Sequence, residues 1–124
     1  KAGMSKYVTM HEMNLKKSKK MPLEEMDLAI IDLGDPWEVL PQVRKMLKSS
    51  GSVVAICPTM NQLEKLSAAF VENEFTDIEC TEHILRHIEA REGKTRHSYR
   101  GIGHTTYLAI ARKVHFNKKR TKKK

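Results

Sequence analysis

Apolar residues along this chain recur in the pattern of alternating strands and helices. Residues 26–33 form a near-continuous apolar run, which is typical of a parallel strand covered on both faces of a sheet. Residues 52–57 form a second buried strand, and residues 102–113 alternate in polarity as a last strand. Apolar positions at helical spacing follow the first and the second run, which predicts one helix after each of these strands.

Two further strands and two polar stretches complete the predicted order. Residues 7–10 form a short first strand, and a lysine-rich loop follows at residues 14–20. Residues 76–90 alternate as one long strand, and residues 92–100 form a polar, basic loop before the last strand. The last two strands close the sheet as an antiparallel pair. The sum predicts an α/β fold, the second half of a doubly wound sheet.

The ends of both helices carry sequence signals. Asp35 is a candidate cap before Pro36, and Gly51 ends the first helical unit. Thr59 and Gln62 have the spacing of a capping box, which opens the second helix. The inner faces are predicted to consist of Val39, Leu40, Val43, Met46 and Leu47 in the first helix, and of Met60, Leu63, Leu66 and Phe70 in the second.

The C-terminal end carries the whole net charge of +8. Residues 112–124 hold eight Lys or Arg and no acid, which leaves fifteen basic and fifteen acidic residues in residues 1–111. A basic tail of this density repels itself, stays mobile and suits a polyanion such as RNA. A solubilising or targeting tail is the alternative interpretation.

Length and cysteine content set the class of protein. The 124 residues support one domain, and no apolar run approaches the length of a membrane span. No signal peptide is expected, because residues 1–6 contain no apolar core. Two cysteines form no disulfide framework, so we expect a reducing compartment, the cytoplasm, and no membrane partner. Because the chain begins with Lys1 and not with Met, we expect it to be a piece of a longer protein or one half of a divided one.

Asp32 is the leading candidate for chemistry. It ends the first buried strand, and ligands bind at strand ends in open α/β sheets. Burying a carboxylate there is costly unless it is paired or used, so we expect Asp32 to serve a site in a cleft. Helix capping is the alternative, but Asp35 already fits that task. No glycine-rich cofactor turn occurs in residues 1–25, and Gly103 belongs to a loop before a strand.

Four motifs resemble the tRNA adenine-N1 methyltransferases that modify adenosine 58 of the T-loop. The first is Asp-Leu-Gly-Asp-Pro-Trp at residues 32–37, followed by residues 58–62 and 75–79. The fourth lies within residues 96–107 and contains Gly-His-Thr-Thr-Tyr. The resemblance is to the C-terminal half of the catalytic domain and covers nearly all of residues 1–113.

The resemblance implies a fold, a cofactor and a role for Asp32. It implies half of a Rossmann-like class I methyltransferase sheet, with residues 1–113 as a partial catalytic domain lacking the cofactor-loop half. Residues 114–124 lie beyond the resemblance, and their charge predicts a disordered basic tail. The methyl donor is S-adenosylmethionine, and the catalytic Asp corresponds to Asp32. Its carboxylate accepts a hydrogen bond from the adenine N6 amino group and orients N1 toward the methyl group. The chain departs from the family at Gly34, where Pro is usual, and at Thr106, where Gly is usual.

Further site residues rest on the same resemblance. Asn14, with Asp32, is a candidate for binding the cofactor, although a plain turn residue is the alternative. Trp37 and Gln62 lie near the expected pocket, where a core aromatic and a capping residue are the alternatives. The candidate RNA-binding residues are basic side chains before the last strand and in the tail: Arg96, Arg100, His104, Lys118, Lys119 and Arg120. A solvated basic loop is the alternative for Arg96 and Arg100.

Cys80, His83 and His87 have a spacing that resembles part of a zinc site. A closed structural site needs a fourth ligand, and the sequence offers none at a fitting spacing. On one strand, Cys80 also points away from both histidines. We therefore expect no metal.

The leading functional prediction is methylation of adenine N1 in tRNA by a catalytic half that needs an N-terminal half or partner, so that the isolated chain is inactive. A non-catalytic tRNA-binding subunit of a two-subunit enzyme is the first alternative, and an RNA-binding remnant that depends on the tail is the second. The expected partners are tRNA and either another copy of the chain or a complementary N-terminal half, which covers an exposed sheet edge.

Overall fold

The computed structural model describes residues 3–21, 25–100, 103 and 105–114. In these residues one 3₁₀ helix, Ser5–Tyr7, precedes the sheet, and a second, Pro36–Val39, leads into the first α-helix. The remaining elements, in chain order, are β1 (Met26–Ile31), α1 (Leu40–Met46), β2 (Leu47–Cys57), α2 (Met60–Glu72), β3 (Phe75–Glu82), β4 (Ile88–Glu89), β5 (Arg96–His97) and β6 (Tyr107–Lys113).

Four strands form one mixed sheet in the order β1-β2-β6-β3. β1 and β2 are parallel, with Ile31 opposite Ala55. β6 runs antiparallel to both of its neighbours and lies between β2 and β3. The predicted α/β fold, parallel at the start and closed by an antiparallel strand pair, is confirmed. β4 and β5 form a separate two-stranded hairpin.

The hydrophobic core lies on one face of the sheet, under both α-helices. From the sheet, Ala29, Val53, Ala55 and Ala109 are buried, and small side chains there let the helices approach closely. Phe70 of α2 meets Phe75 of β3 edge to face, with ring centroids 5.5 Å apart. All five residues predicted for the inner face of the first helix are buried, but only Leu40, Val43 and Met46 lie in α1; Val39 belongs to the 3₁₀ helix and Leu47 begins β2. The prediction that Met60 belongs to the inner face of the second helix is wrong, because its side chain is 66% exposed.

The opposite face of the sheet carries apolar side chains without helices over them. Leu28 is 48% exposed and Ile30 is 68% exposed, while Val54 and Ile110 beside them are half-buried. The expectation that residues 26–33 are covered on both faces is therefore wrong for the described chain. A continuous apolar run is typical of a strand that is buried on both faces, but the described residues contain no helix or strand that covers the second face of β1.

Two predicted strands were wrong, for one physical reason. Tyr7 ends the 3₁₀ helix, and residues 8–10 pair with no described strand and are exposed. Residues 76–90 do not form one strand: β3 ends at Glu82, where its pairing with Tyr107 ends. A strand needs a partner ladder, and an alternating pattern does not reveal where that partner stops.

β2 starts earlier than predicted. Gly51 lies inside this strand and is buried, so it does not end the helical unit. A β-carbon at Gly51 would lie 2.9 Å from the Lys48 carbonyl oxygen and 3.0 Å from the Met26 carbonyl oxygen. The register of β1 against β2 is irregular at this point, and Ser50 has a φ of 66°. Only glycine fits there without displacing backbone atoms.

Arg44 links three parts of the fold at the end of the sheet where β1 and β2 begin. Its Nε donates to the Asn73 carbonyl oxygen at 2.8 Å. Its Nη2 donates to Glu74 at 3.1 Å and to the Val114 carbonyl oxygen at 3.2 Å. The predicted stop at Asn73 is confirmed, and the Arg44 bonds fix that helix end against α1 and the end of β6. No helix in the described part of the chain is long and apolar enough to cross a membrane.

Candidate active site

The carboxyl ends of β1, β2 and β3 lie at one edge of the sheet, together with the amino end of β6. Ile31 of β1 pairs with Ala55 near this edge. Tyr107 of β6 pairs with Cys57 and with Glu82 at the edge itself. Ligands of open α/β sheets bind beyond this edge. The residues that follow β1 and the first residues of α2 meet here, and the β4–β5 hairpin extends from the same edge.

Asp32 directly follows β1 at this edge, as predicted. Its side chain is exposed and forms no hydrogen bond or ion pair with any residue that the structure describes. The expectation of a carboxylate set in a cleft is therefore wrong for the described chain. The cause is the absence of an opposing wall, because the strand ends here without a neighbour on the outer side of β1.

The turn after Asp32 is held by contacts from two sides. Pro36 is buried and begins the 3₁₀ helix, as predicted. Asp35 is the N-cap residue, but its side chain makes no capping hydrogen bond. The ammonium of Lys16 instead lies 3.7 Å from Asp35 and 2.5 Å from Glu38. The hydrogen bond to Glu38 is the main cause that raises the pKa of Lys16.

Gln62 holds the same turn from the side of α2. The Thr59 hydroxyl oxygen accepts from the Gln62 amide N–H at 3.3 Å, so the predicted N-cap is confirmed. The reciprocal bond differs from a standard capping box, because Gln62 Oε1 accepts from the Thr59 hydroxyl at 2.9 Å. The remaining group, Nε2, donates to the Gly34 carbonyl oxygen at 3.0 Å. Gln62 therefore spans from the helix start to the turn after Asp32, a contact that the capping pattern alone does not reveal.

Trp37 is half-buried and packs against the core, the alternative that the sequence left open. The ammonium of Lys65 on α2 lies 4.2 Å from the centroid of its ring. This cation–π contact covers one face of the ring. A base could stack on Trp37 only by displacing Lys65 or by using the other face.

Asn14 lies at the rim of a depression beside the turn. Its side chain accepts from the Lys16 amide at 3.0 Å, which makes it a turn residue. The depression has a volume of about 700 Å³, and Leu15, Leu33 and Val39 line it together with Asn14. Leu33 is the neighbour of Asp32 in sequence, but Asp32 itself is not among the residues that line the depression.

Arg96 and Arg100 lie at the other side of the sheet. Three strand spacings separate β1 from β3, about 14 Å, and the hairpin follows β3. Arg96 contacts Glu89 at 3.3 Å and lies 4.6 Å from the ring centroid of Tyr99, which is 84% exposed. Arg100 lines a separate depression of about 360 Å³ with His87 and His97. No described contact joins these arginines to Asp32.

Four predicted RNA-binding residues lie outside the described residues: His104, Lys118, Lys119 and Arg120. Cys80 is exposed on β3, and no group of three or more metal-ligating side chains occurs in the part of the chain that the structure describes. Cys57 is buried, and its burial raises the pKa of its thiol.

Solved structures define the class of fold. An S-adenosylmethionine-dependent O-methyltransferase of Thermotoga maritima superposes with a TM-score of 0.76 and 26% identity, over 83% of this chain and 38% of that chain. TrmI of Aquifex aeolicus, a tRNA m1A58 methyltransferase, superposes with a TM-score of 0.71 and 30% identity, over 82% and 40%. The sheet is therefore part of a class I S-adenosylmethionine-dependent methyltransferase fold.

Sequence comparison places the chain in a family. The model of the tRNA methyltransferase complex GCD14 subunit matches residues 1–124, and the chain belongs to this family. The chain is also 38% identical over 95 residues to a tRNA (adenine(57)-N(1)/adenine(58)-N(1))-methyltransferase, TrmI, of Methanocaldococcus jannaschii. It is 28% identical over 74 residues to the tRNA (adenine(58)-N(1))-methyltransferase catalytic subunit TRM61 of Candida albicans. The resemblance drawn from the four motifs is confirmed.

The matches cover only part of each relative. The first match spans 76% of this chain but 34% of the M. jannaschii protein, and the second spans 58% of this chain and 22% of the C. albicans protein. The chain therefore spans about a third or less of the length of these relatives.

Proposed function

We propose that the chain is the catalytic half of an S-adenosylmethionine-dependent enzyme that methylates N1 of adenine in tRNA. The observation that carries this proposal is the position of Asp32, which directly follows β1 at the edge of the sheet where ligands bind in such folds. The turn after it is fixed by Gln62 and Lys16. Family membership and the tRNA methyltransferases named among its relatives support the substrate.

The depression beside Asn14 fits the adenosine part of the cofactor. Its volume of about 700 Å³ lies in the range of small-molecule sites. Its walls carry four apolar side chains and three polar ones, which are Glu12, Asn14 and Lys16. Asn14 and Leu33 would hold the group there, while Asp32 faces the reacting end. When bound, S-adenosylmethionine supplies an electrophilic methyl group on a sulfonium.

Asp32 acts on the base rather than on the cofactor. Its carboxylate accepts a hydrogen bond from the N6 amino group and fixes the ring so that the N1 lone pair points at the methyl carbon. No proton needs to leave N1, because N1 attacks with a lone pair in the ring plane. The base becomes positively charged as the bond forms, and a carboxylate on its amino edge stabilises that charge. The adenosine must leave its stack to reach this edge.

RNA binding is proposed for basic residues of the hairpin and of the tail. Arg96 and Arg100 are exposed on an arm that extends from the substrate edge, and Tyr99 offers an exposed ring. Guanidinium groups pair with phosphates and an aromatic ring stacks on bases. For His104 and for the tail residues Lys118, Lys119 and Arg120, RNA binding is proposed from the sequence alone.

The chain works with a second polypeptide segment, either a complementary N-terminal half or another copy. Leu28 and Ile30 leave apolar surface open on one sheet face, and β1 has no described strand on its outer edge. Covering one such side chain contributes about 1.5–3 kcal/mol. Gel filtration of the chain at micromolar concentration should show an assembly; a compact monomer would contradict this part. The two free thiols support a cytoplasmic location.

The direct test is product detection. The complete protein that contains this chain is incubated with a tRNA transcript and S-adenosylmethionine, and the RNA is digested to nucleosides for mass spectrometry. We expect 1-methyladenosine, and no other methylated nucleoside. The chain alone should release little heat when titrated with S-adenosylmethionine, because the proposed N-terminal half of the fold is needed to complete the cofactor site.

A non-catalytic tRNA-binding subunit is the second candidate. The exposure of the Asp32 side chain favours it. Changing Asp32→Ala in a reconstituted assembly separates the two candidates. Unchanged methylation assigns the chain to the binding subunit, whereas loss of methylation with retained tRNA binding assigns it to the catalytic half.

A further inference from the structure

Residues 14–20, here called the lysine loop, form a closed turn and not an open connection. The Asn14 carbonyl oxygen accepts from the Ser18 amide at 3.0 Å and from the Lys17 amide at 3.2 Å. The Ser18 hydroxyl donates to the Lys20 carbonyl oxygen at 2.8 Å. These bonds fix the positions from which the lysine side chains extend.

The lysine loop is tied to the turn that carries Asp32. Lys16 is the link, because its ammonium contacts both Glu38 and Asp35. Loop residues and Leu33 also line one depression. The lysine loop therefore borders the candidate active site and not a remote part of the surface.

The charge balance at this edge is unfavourable for RNA without the lysine loop. Asp32, Asp35 and Glu38 lie within seven positions, and only Lys16 pairs with any of them among the described ion pairs. A polyanion approaching three carboxylates is repelled. Positive charge beside them is needed for a phosphate backbone to come close.

The other lysines of the lysine loop supply that charge. Lys17, Lys19 and Lys20 are exposed, and none of them forms an ion pair with a residue that the structure describes. Lys48 and Arg112, by contrast, are paired with Asp27 and Asp77. Three unpaired ammonium groups on a fixed turn favour an anionic partner.

We propose that Lys17, Lys19 and Lys20 bind phosphates of the RNA strand that flanks the adenosine entering the site. This inference rests on the proposed function, since it takes tRNA as the substrate. Ammonium groups act on phosphates as point charges, so the lysine loop positions the RNA without reading its sequence. It acts at the β1 side of the substrate edge, opposite the hairpin with Arg96 and Arg100.

The test compares two double variants of the complete protein that contains this chain. The loop variant is Lys19→Gln with Lys20→Gln. The control variant is Lys45→Gln with Lys48→Gln, which removes the same charge at the opposite end of the sheet, where β2 begins. The probe is a fluorescent tRNA transcript, and its dissociation constant is measured at several salt concentrations.

We expect the loop variant to lower the slope of log affinity against log salt by about two, roughly one for each lysine. The control variant keeps the slope of the unchanged protein, and Lys19→Arg with Lys20→Arg restores it. Where methylation is measured, the KM for tRNA rises by about tenfold while kcat changes less than twofold. Melting temperatures of all variants are compared, so that a loss of fold is recognised.

An unchanged slope in the loop variant, or an equal drop in the control variant, overturns the proposal for the lysine loop. The binding measurement needs no methyl transfer, so it decides this inference even if the unchanged protein makes no 1-methyladenosine. The absence of 1-methyladenosine with the unchanged protein would instead contradict the proposed function.

Discussion

The side-chain amide of Gln62 donates a 3.0 Å hydrogen bond to the carbonyl oxygen of Gly34. The bond joins the first turn of α2 to the turn that follows Asp32, two segments that lie 28 positions apart in sequence. The two hydrogen bonds with Thr59 fix Gln62 itself, so the Gly34 carbonyl is held by a side chain that has little freedom. Asp32 therefore extends from a turn whose position depends on the start of α2.

Gln62→Glu separates the two tasks of Gln62. A glutamate keeps an oxygen that accepts from the Thr59 hydroxyl, but it cannot donate to Gly34. We expect thermal stability to change by about 1 kcal/mol or less, because one exposed hydrogen bond is lost. We expect kcat for tRNA methylation to fall by about tenfold, since the turn that carries Asp32 is no longer fixed.

Gln62→Ala is the matched comparison, because it also removes the oxygen that accepts from the Thr59 hydroxyl while the backbone N–H of residue 62 still donates to Thr59; it should cost about 0.5–1 kcal/mol more in stability. Equal kcat values for Gln62→Glu and the unchanged enzyme would show that the Gly34 bond has no role in positioning Asp32.

The two glycines Gly34 and Gly51 should respond to alanine with opposite signs. At Gly34 nothing lies within 4 Å of an added β-carbon, so Gly34→Ala should stabilise the fold by about 0.4–1 kcal/mol through the unfolded chain. At Gly51 the added carbon would meet two backbone oxygens, so Gly51→Ala should destabilise by about 1–3 kcal/mol. Chemical unfolding of both variants checks the signs; destabilisation at Gly34 would contradict the described turn.

Arg44→Met should destabilise the fold by about 1–3 kcal/mol. The change leaves the carbonyl oxygens of Asn73 and Val114 without their donor, while most of the side-chain volume is kept. Lys45→Met is the control on the next position of α1, where the side chain is exposed and forms no described ion pair; it should change stability by about 0.5 kcal/mol or less. Urea unfolding of both variants compares them, and equal effects would remove Arg44 as a link between α1 and the strand ends.

The two thiols should differ in reactivity. Cys57 is buried, and burial, followed by the nearby Cys80, raises the pKa of its thiol. Burial also raises the pKa of Cys80, but its side chain is exposed. At pH 8 we expect iodoacetamide to modify Cys80 slowly and to leave Cys57 unmodified until the chain is unfolded in guanidinium. Peptide mass spectrometry assigns the sites, and rapid labelling of Cys57 in the folded protein would contradict its burial.

The raised pKa of Cys57 also sets the sign of a pH effect. The folded state holds the thiol proton more tightly than the unfolded chain does. The stability from this group is therefore complete below the ordinary thiol pKa and is lost as the pH rises through the folded value. A Cys57→Ala variant should lack this alkaline loss when melting temperatures are compared between pH 8 and pH 10.

Local sequence signals predicted the elements whose causes are local. Residues 52–57 form a strand, Thr59 is the N-cap of α2, and Asn73 ends this helix, because each depends on neighbours within a few positions. Pairing limits are not local. Residues 76–90 alternate correctly for a strand, yet the antiparallel partner β6 begins only at Tyr107, so the pairing stops at Glu82, and a bulge near Asp77 shifts the faces.

The candidate site was predicted only in part, for a similar reason. The position of Asp32 at a strand end follows from the apolar run before it. The exposure of the Asp32 side chain does not follow from that run, because its burial depends on whether other residues pack on the outer side of β1. The contacts of Lys16 with Glu38 and of Lys65 with Trp37 join segments far apart in sequence, and no spacing rule identifies them. A lysine-rich loop and an aromatic after a proline were the only available signals.

The most direct test of the central claim compares Asp32→Asn with Asp35→Asn in the complete protein that contains this chain. Asparagine keeps the size of either side chain but removes the charge that stabilises the methylated base. We expect Asp32→Asn to lower kcat for 1-methyladenosine formation by about 10²–10³-fold with unchanged tRNA affinity, and Asp35→Asn to change it less than threefold. Equal rates for Asp32→Asn and the unchanged protein would contradict the catalytic role of Asp32.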